Sequence, residues 1–201
     1  MASAAAAALL LPLVFLAALL NVLVSAIVWI FLRGKRRVGA SSDTLKILDD
    51  LSRPHWEVST PKNFSQFFQN IAKLLPPNSV LCLEDVYPDR AFLDFLNARK
   101  ISATVEPRRG TLWPRREMFQ LPATGENLSQ LEHFITTSDP GATPRHVHAN
   151  HGDTILLQWF DASMLDEPMC VSTKIPEAAV REFCAAMGSE LSTYDGDDSE
   201  K

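Results

Sequence analysis

Three histidines stand close together in the last third of the chain, and their spacing suits a metal site. One residue separates His146 from His148, and His151 follows, with Asp153 two residues after it. Alternate residues of a strand project to the same face, so the first two imidazoles are expected to be neighbours. A third ligand from the turn would complete a zinc-like set and make the protein a small metal-dependent enzyme. The alternative is a solvated hairpin that happens to contain histidines.

A second cluster combines arginines with a tryptophan in a proline-bounded loop. Its members are Arg108, Arg109, Trp113, Arg115 and Arg116. Guanidinium groups bind carboxylates and phosphates through paired hydrogen bonds and stack on aromatic rings. The loop could therefore bind an acidic protein or anionic lipid head groups. In the alternative interpretation it is an ordinary exposed loop whose arginines pair with neighbouring glutamates, Glu106 and Glu117.

The remaining reactive side chains give weaker signals. Glu84 and Asp85 follow an apolar run, at the end of a strand where α/β sheets often bind ligands, although Asp85 could instead cap the turn before Pro88. Cys82 lies inside the apolar run and is expected to be a small buried hydrophobe rather than a nucleophile. Because the chain has no nucleophile elbow, phosphate loop or HExxH motif, no catalytic residue is predicted.

The start of the chain predicts a membrane anchor. No charged residue occurs between Ala4 and Leu32, which is longer than the roughly 20 residues that cross a bilayer. We predict a short outer N-terminus at 1–8 and a transmembrane helix at 9–32. A cleavable signal peptide is the alternative, but the apolar run continues past the small residues near position 25 and no basic residue precedes it.

Basic residues follow the predicted span directly and set its orientation. They are Arg33, Lys35, Arg36 and Arg37, with Trp29 at the adjoining interface. Since lysine and arginine remain on the cytoplasmic side, we expect the C-terminal domain to be cytoplasmic. The three cysteines lack CxxC spacing, which agrees with a reducing compartment. A net charge of −5, despite this basic cluster, argues against nucleic acid as a partner.

After a basic linker at 33–43, residues 44–190 predict one cytoplasmic α/β (α+β) domain, and 191–201 an acidic disordered tail. Short apolar runs bounded by turn residues predict seven strands, at 55–60, 79–84, 102–106, 117–121, 145–149, 154–161 and 169–175. Helices are predicted to open at Asp43-Thr44, Thr60-Pro61, Pro88, Thr124 and Pro176.

These elements predict a two-layer domain, a mixed sheet with helices mainly on one face. The two early strands, at 55–60 and 79–84, are each followed by a predicted helix and could form a parallel pair. A hairpin turning at 150–152 would place Val147 opposite Ile155, and Phe67 and Phe183 are expected to be buried in the helix layer.

The functional prediction is a membrane-anchored, non-enzymatic binding or accessory domain in a larger membrane assembly. Its expected partners are the lipid bilayer and one or more proteins. No cofactor is predicted, apart from the zinc-like ion of the alternative enzyme.

Overall fold

The computed structural model describes residues 46–51, 54–102, 105–110, 117–137, 142–165 and 167–194. The predicted span at 9–32, its flanking residues, most of the arginine–tryptophan loop and the tail from 195 lie outside the described residues. Within those ranges, no helix has the length and apolar character needed to cross a bilayer.

The described chain is an α+β domain with nine strands and four α-helices. In order these are β1 Lys46–Leu48, β2 His55–Val58, α1 Phe64–Leu74, β3 Val80–Glu84, α2 Arg90–Arg99, β4 Val105–Pro107, β5 Met118–Pro122, α3 Gly125–Thr137, β6 His146–His151, β7 Thr154–Trp159, β8 Met169–Ser172, α4 Glu177–Met187 and β9 Leu191–Tyr194. A short 3-10 turn, Ala162–Met164, joins β7 to β8.

Seven of the strands form one antiparallel sheet in the order β5-β3-β6-β7-β8-β2-β9. The other two, β1 and β4, form a separate parallel pair. The predicted parallel pairing of the two early strand–helix units is therefore wrong. β2 and β3 lie four places apart in the large sheet, because the β6–β7 hairpin and β8 are inserted between them.

Helix ends follow local side-chain chemistry. Asn63 caps α1 by accepting a hydrogen bond from the Gln66 amide at 3.0 Å, and Asp89 caps α2 in the same way from Phe92 at 2.8 Å. Both helices begin two to four residues after the predicted starts at Thr60-Pro61 and Pro88. The side chain of Asn or Asp can accept a hydrogen bond from the amide three residues later, whereas proline has no side-chain acceptor. Thr124 caps α3 as predicted, since its hydroxyl accepts from the Asn127 amide at 3.2 Å.

One apolar cluster joins the four helices to alternate residues of the sheet. Trp159 of β7 packs against Phe64 and Phe67 of α1, with ring centroids about 5 Å apart. Phe67 also meets Phe183 of α4 edge-on, at 6.4 Å. Both of these phenylalanines are almost completely buried, which confirms the predicted helix layer.

Three predictions of local structure are wrong. Residues 46–48 form β1 rather than a helical turn, because pairing with β4 outweighs the weak helical spacing of the leucines. Leu191–Tyr194 extends the sheet as β9, so the domain does not end at 190. In the hairpin Val147 faces Trp159, since the turn is shorter than predicted and the pairing shifts between Ala149 and Asn150.

Candidate functional site

The face of the sheet opposite the helices carries a row of polar side chains. Cross-strand pairing aligns one residue from each of six adjacent strands, and these residues are Gln120, Cys82, His148, Gln158, Cys170 and Glu57. Directly paired residues share a face, so all six side chains project to the same side. In the next row towards the end of β3, Glu84 pairs with His146. We call this surface the polar face.

Much of the polar face is buried, although it is rich in polar atoms, and the β1–β4 pair is hydrogen-bonded to part of it. Gln158 fixes the segment after β1: its Oε1 accepts from the Leu51 amide at 2.6 Å, and its Nε2 donates to Asp50 at 3.0 Å. Gln120 fixes β4, since its Nε2 donates to the Val105 carbonyl at 3.1 Å. Side-chain hydrogen bonds thus tie the two short strands to this layer, and Leu48 and Pro107 of these strands are buried as well.

Glu84 and His148 form the most buried charged pair of the polar face. Both side chains have no exposed surface, and His148 Nε2 lies 3.9 Å from Glu84 Oε2. That distance allows an ion pair if the imidazole is protonated, but it is too long for a hydrogen bond. Neither ring nitrogen of His148 has a hydrogen-bond partner within the described residues. Buried polar atoms are normally paired, so this position is energetically unfavourable by itself.

His146 lies beside this pair and is also buried. Its Nδ1 accepts from the Asp161 amide at 3.0 Å, so the imidazole is held with Nδ1 unprotonated. Its Nε2 has no hydrogen-bond partner in the described part of the chain. Burial lowers the pKa of His146, which outweighs the opposing effects of Glu84 and Asp161. The neutral imidazole is therefore favoured in the folded protein.

Gly110 lies against Glu84 and His146 at one end of the polar face. Its amide donates to Glu84 Oε2 at 3.1 Å. A Cβ at this position would lie 2.9 Å from both His146 Nε2 and a ring carbon of Phe160. Only glycine can bring the backbone this close to the two aromatic rings. The first residues of the predicted arginine–tryptophan loop are therefore held against the polar face.

Backbone conformation is unusual at the same end of the sheet. Asp85 follows β3 with φ of 57°, and Asp161 follows β7 with φ of 46°. Left-handed backbone is uncommon outside glycine and often accompanies functional sites. Arg145 joins the two strand ends: its amide donates to the Glu84 carbonyl at 3.1 Å, and its guanidinium binds Asp161 at 2.8 Å. The cap of the following helix is Asp89.

The three predicted metal ligands are not brought together. His146 and His148 share the buried polar face as expected, but His151 is exposed at the hairpin turn. Among the described residues, no group of three or more His, Cys, Asp or Glu side chains is placed to hold a metal ion. The solvated-hairpin alternative is also wrong for the first two histidines, since both are buried.

The described arginines of the predicted binding loop are both engaged with acidic side chains. Arg109 Nε lies 2.5 Å from Glu106, and both side chains are mostly buried. Arg108 is exposed and lies 3.8 Å from Asp50. Glu117, the other glutamate expected to pair with this loop, binds Lys100 at 3.0 Å. Trp113, Arg115 and Arg116 lie outside the described residues.

Burial disfavours the thiolate form of Cys82 and Cys170. Cys82 is completely buried, and burial raises the pKa of its thiol far above the usual value. Burial likewise raises the pKa of Cys170 to about 11. Since the thiolate is the nucleophile, neither side chain is suited to covalent catalysis. Cys82 acts as a small buried residue, as the sequence predicted.

Sequence reasoning did not find the Glu84–His148–Gly110 arrangement. One signal was present: in β6, polar residues alternate with apolar ones, which indicates a second, chemically different face. The alternation does not say whether that face is solvated or covered. The cover includes β1, which was not predicted as a strand, and β4, which overlaps the strand predicted at 102–106. Neither segment's pattern says that the two strands pack on this face.

Comparison with known proteins gives no relative. No protein-family model matches the chain, and no curated protein or solved structure is significantly similar to it.

Proposed function

We propose that the protein is a membrane-anchored accessory domain that binds an acidic protein partner through the loop at 108–116. The observation that carries this proposal is the contact between the Gly110 amide and Glu84. The contact holds the start of the loop at a defined position on the domain. A pre-positioned loop loses less conformational entropy on binding than a free one does.

Two large side chains are exposed on the segments that follow β3 and β7. Tyr87 is 52% exposed, and Met164, in the turn after β7, is 68% exposed. Both belong to segments that contact Arg145: Tyr87 interacts electrostatically with its guanidinium, and Ala162, in the same turn as Met164, donates to its carbonyl. Tyrosine, methionine and arginine are enriched at protein interfaces. The predicted contributions of Trp113, Arg115 and Arg116 would extend this surface.

An acidic protein fits this surface better than a lipid head group does. Arg108, Arg109 and Arg145 each have an acidic neighbour in the domain, at Asp50, Glu106 and Asp161. The positive field is therefore divided among local ion pairs. Lipid attraction depends on the summed charge of a basic patch, whereas a protein partner can match alternating charges residue by residue.

The membrane part of the proposal rests on the uncharged run at 9–32 and the basic residues that follow it. With the domain on the cytoplasmic side, the loop would meet partners at the inner surface of the membrane. A glycosylation test of this orientation can use Asn63, which precedes α1 at the surface. Asn127 is unsuitable, because its side-chain nitrogen is buried and donates to the Pro122 carbonyl at 2.9 Å.

A reporter fused after Lys201 tests the orientation. We expect the fusion to be active in the cytoplasm and Asn63 to remain unmodified. Export of the reporter, or a glycan at Asn63, would contradict the proposed topology. Moving the basic residues at 33–37 to the N-terminus should weaken or invert the orientation.

The binding proposal is tested by recovering partners with the full-length protein in mild detergent. Trp113→Ala combined with Arg115→Glu should reduce recovery of a specific protein while thermal unfolding stays cooperative. Arg90→Glu is the matched charge control, because Arg90 lies exposed on α2 and pairs only with Asp94 among the described residues. Unchanged recovery with the double variant would refute the proposal. Salt-sensitive binding to anionic vesicles without a protein partner would favour the lipid alternative.

A further inference from the structure

A groove runs along the free side of β1. Its volume is about 290 Å³, and one wall is the continuous segment from Lys46 to Leu51. The opposite wall is formed by the start of β7 and by the end of β8 with the turn that follows it. It includes Thr154, Ser172 and Lys174. Since β8 is the neighbour of β7 in the large sheet, the groove lies over the polar face next to the part that β1 and β4 cover.

In the part of the chain that the structure describes, one edge of β1 is unpaired, and it borders this groove. Among the described residues, β1 pairs only with β4. The Leu48 carbonyl points to β4, where it accepts from the Arg108 amide at 3.0 Å. Successive residues of a strand direct their backbone groups to opposite edges, so the amide and carbonyl of Ile47 point away from β4. Its side chain is 64% exposed. An edge of this kind is a template for another strand.

The polar face beyond β1 lacks the cover that its other half has. Under the β1–β4 pair, Gln158 and His148 are almost completely buried. Further along the same row, Cys170 and Glu57 are only partly buried. A third strand beside β1 would lie above these two residues and extend the small parallel sheet over the uncovered strands.

Charges along the groove indicate what such a strand should carry. Lys46 binds Asp153 at 2.5 Å, and Asp50 lies near Arg108, so these charges are already balanced. Asp49 is exposed in the wall next to β1, and no ion pair to it occurs within the described residues. On the far wall, Lys174 donates to Thr154 at 3.3 Å and likewise has no ion pair within the described residues, so the two unbalanced charges of the groove, Asp49 and Lys174, lie on opposite walls. A basic side chain on the bound strand would meet Asp49.

We propose that the free edge of β1 binds an extended segment of a partner protein, which pairs with β1 as a third strand and places a basic side chain beside Asp49. Main-chain hydrogen bonds to Ile47 would supply affinity, and Asp49 would select the partner's charge. This surface is separate from the arginine–tryptophan loop, so the inference goes beyond the proposed function and does not depend on it.

The test uses the full-length protein in mild detergent and a synthetic peptide of alternating threonine and valine with one central lysine. Hydrogen exchange read by mass spectrometry should show slower exchange in the 46–51 segment when the peptide is added. Matched peptides with a central glutamate, or with prolines that prevent strand pairing, should protect this segment less. Asp49→Lys should weaken binding of the lysine peptide about fivefold, as expected for one exposed ion pair.

Protection that is equal for the proline-containing peptide would overturn strand pairing, because proline cannot complete the backbone ladder. Protection confined to Leu191–Tyr194 would also overturn the proposal, since β9 is the edge strand of the large sheet and would then be the docking site. Unchanged affinity for Asp49→Lys would refute the role of Asp49. Exchange at 46–51 that does not change with saturating peptide would refute binding at β1.

Discussion

The two faces of the seven-stranded sheet are covered by different means. On the helix side, Trp159, Phe67 and their neighbours pack in a large apolar cluster in which each side chain has many contacts. On the polar face, His148 and Glu84 are equally inaccessible, yet their cover is two three-residue strands attached by a few hydrogen bonds.

This difference predicts different responses to mutation. An apolar cluster loses energy in proportion to the volume removed, whereas a buried polar layer depends on whether each group keeps its partner. Helix-side changes should therefore affect global stability. Changes to the polar face should act first on the position of β1, β4 and the loop that follows.

The largest effect is expected from Phe67→Ala. Phe67 is completely buried and touches Phe68, Trp159 and Phe183. The variant should lower the free energy of unfolding by about 3–5 kcal/mol, as measured by urea denaturation followed by circular dichroism. Met164→Ala is the control, because this exposed side chain should contribute no more than about 0.5 kcal/mol. Equal denaturation midpoints for the two variants would show that α1 is packed differently.

A smaller, localised effect is expected from Gly110→Ala. The added Cβ would overlap His146 and Phe160, so the loop must move away from Glu84. We expect a loss of about 1–3 kcal/mol, together with faster proteolysis near residue 110. Gly125→Ala is the matched control, because nothing lies within 4 Å of the added methyl group at the start of α3. A Gly110→Ala variant as stable as this control would mean that the loop is not seated on the polar face.

Burial of the helix-side core could be predicted from the sequence, whereas burial of the polar face could not. Phe67 and Phe183 lie at regular helical spacing, which is set by local geometry and by the need to bury aromatic rings. The alternation of His146, Val147 and His148 also predicted which residues share a face. Whether that face meets water depends on the distant segments at 46–51 and 105–110, and such contacts leave no periodic pattern.

The predicted parallel arrangement failed for a related reason. β2 and β3 each have an apolar pattern, but no local signal specifies which strand lies beside them. The hairpin register was missed mainly because the turn lies at Gly152-Asp153 rather than at 150–152, and Leu156, left unpaired in β7, shifts the pairing by one further residue. For the candidate site, sequence identified His146, His148, Glu84 and Arg109 as individual residues. It could not identify Gly110 as the residue that brings the loop to Glu84.

The pH dependence of stability distinguishes the faces further. The lowered pKa of His146 means that the unfolded chain binds a proton more readily than the folded protein does. The contribution of His146 to the free energy of unfolding is therefore fully present above about pH 6.5. It should be lost as the pH decreases towards the lower pKa of the folded protein. In urea denaturation at pH 7.5 and 5.5, His146→Gln should reduce the difference between the two midpoints. An unchanged difference would show that His146 titrates as it does in the unfolded chain.

The smallest effect on the free energy of unfolding is expected from breaking the ion pair between Arg109 and Glu106, at the start of the loop. Arg109 and Glu106 are mostly shielded from solvent, whereas Arg90 and Asp94 are exposed on α2. Arg109→Met should cost about 1 kcal/mol, and Arg90→Met no more than about 0.5 kcal/mol, because water screens an exposed pair. Thermal unfolding in low and high salt provides the measurement. A larger loss at Arg90 would contradict the burial of the Arg109 pair.

Amide hydrogen exchange at Gly110 tests most directly whether the polar face positions the loop. In isotope-labelled full-length protein, the Gly110 amide should be protected, because it donates to the buried Glu84 carboxylate. Glu84→Gln, which keeps an oxygen acceptor, should retain most of this protection. Glu84→Leu should abolish it while Ile71 in α1 stays protected. Exchange at Gly110 as fast as in an open loop, or unaffected by Glu84→Leu, would contradict the account.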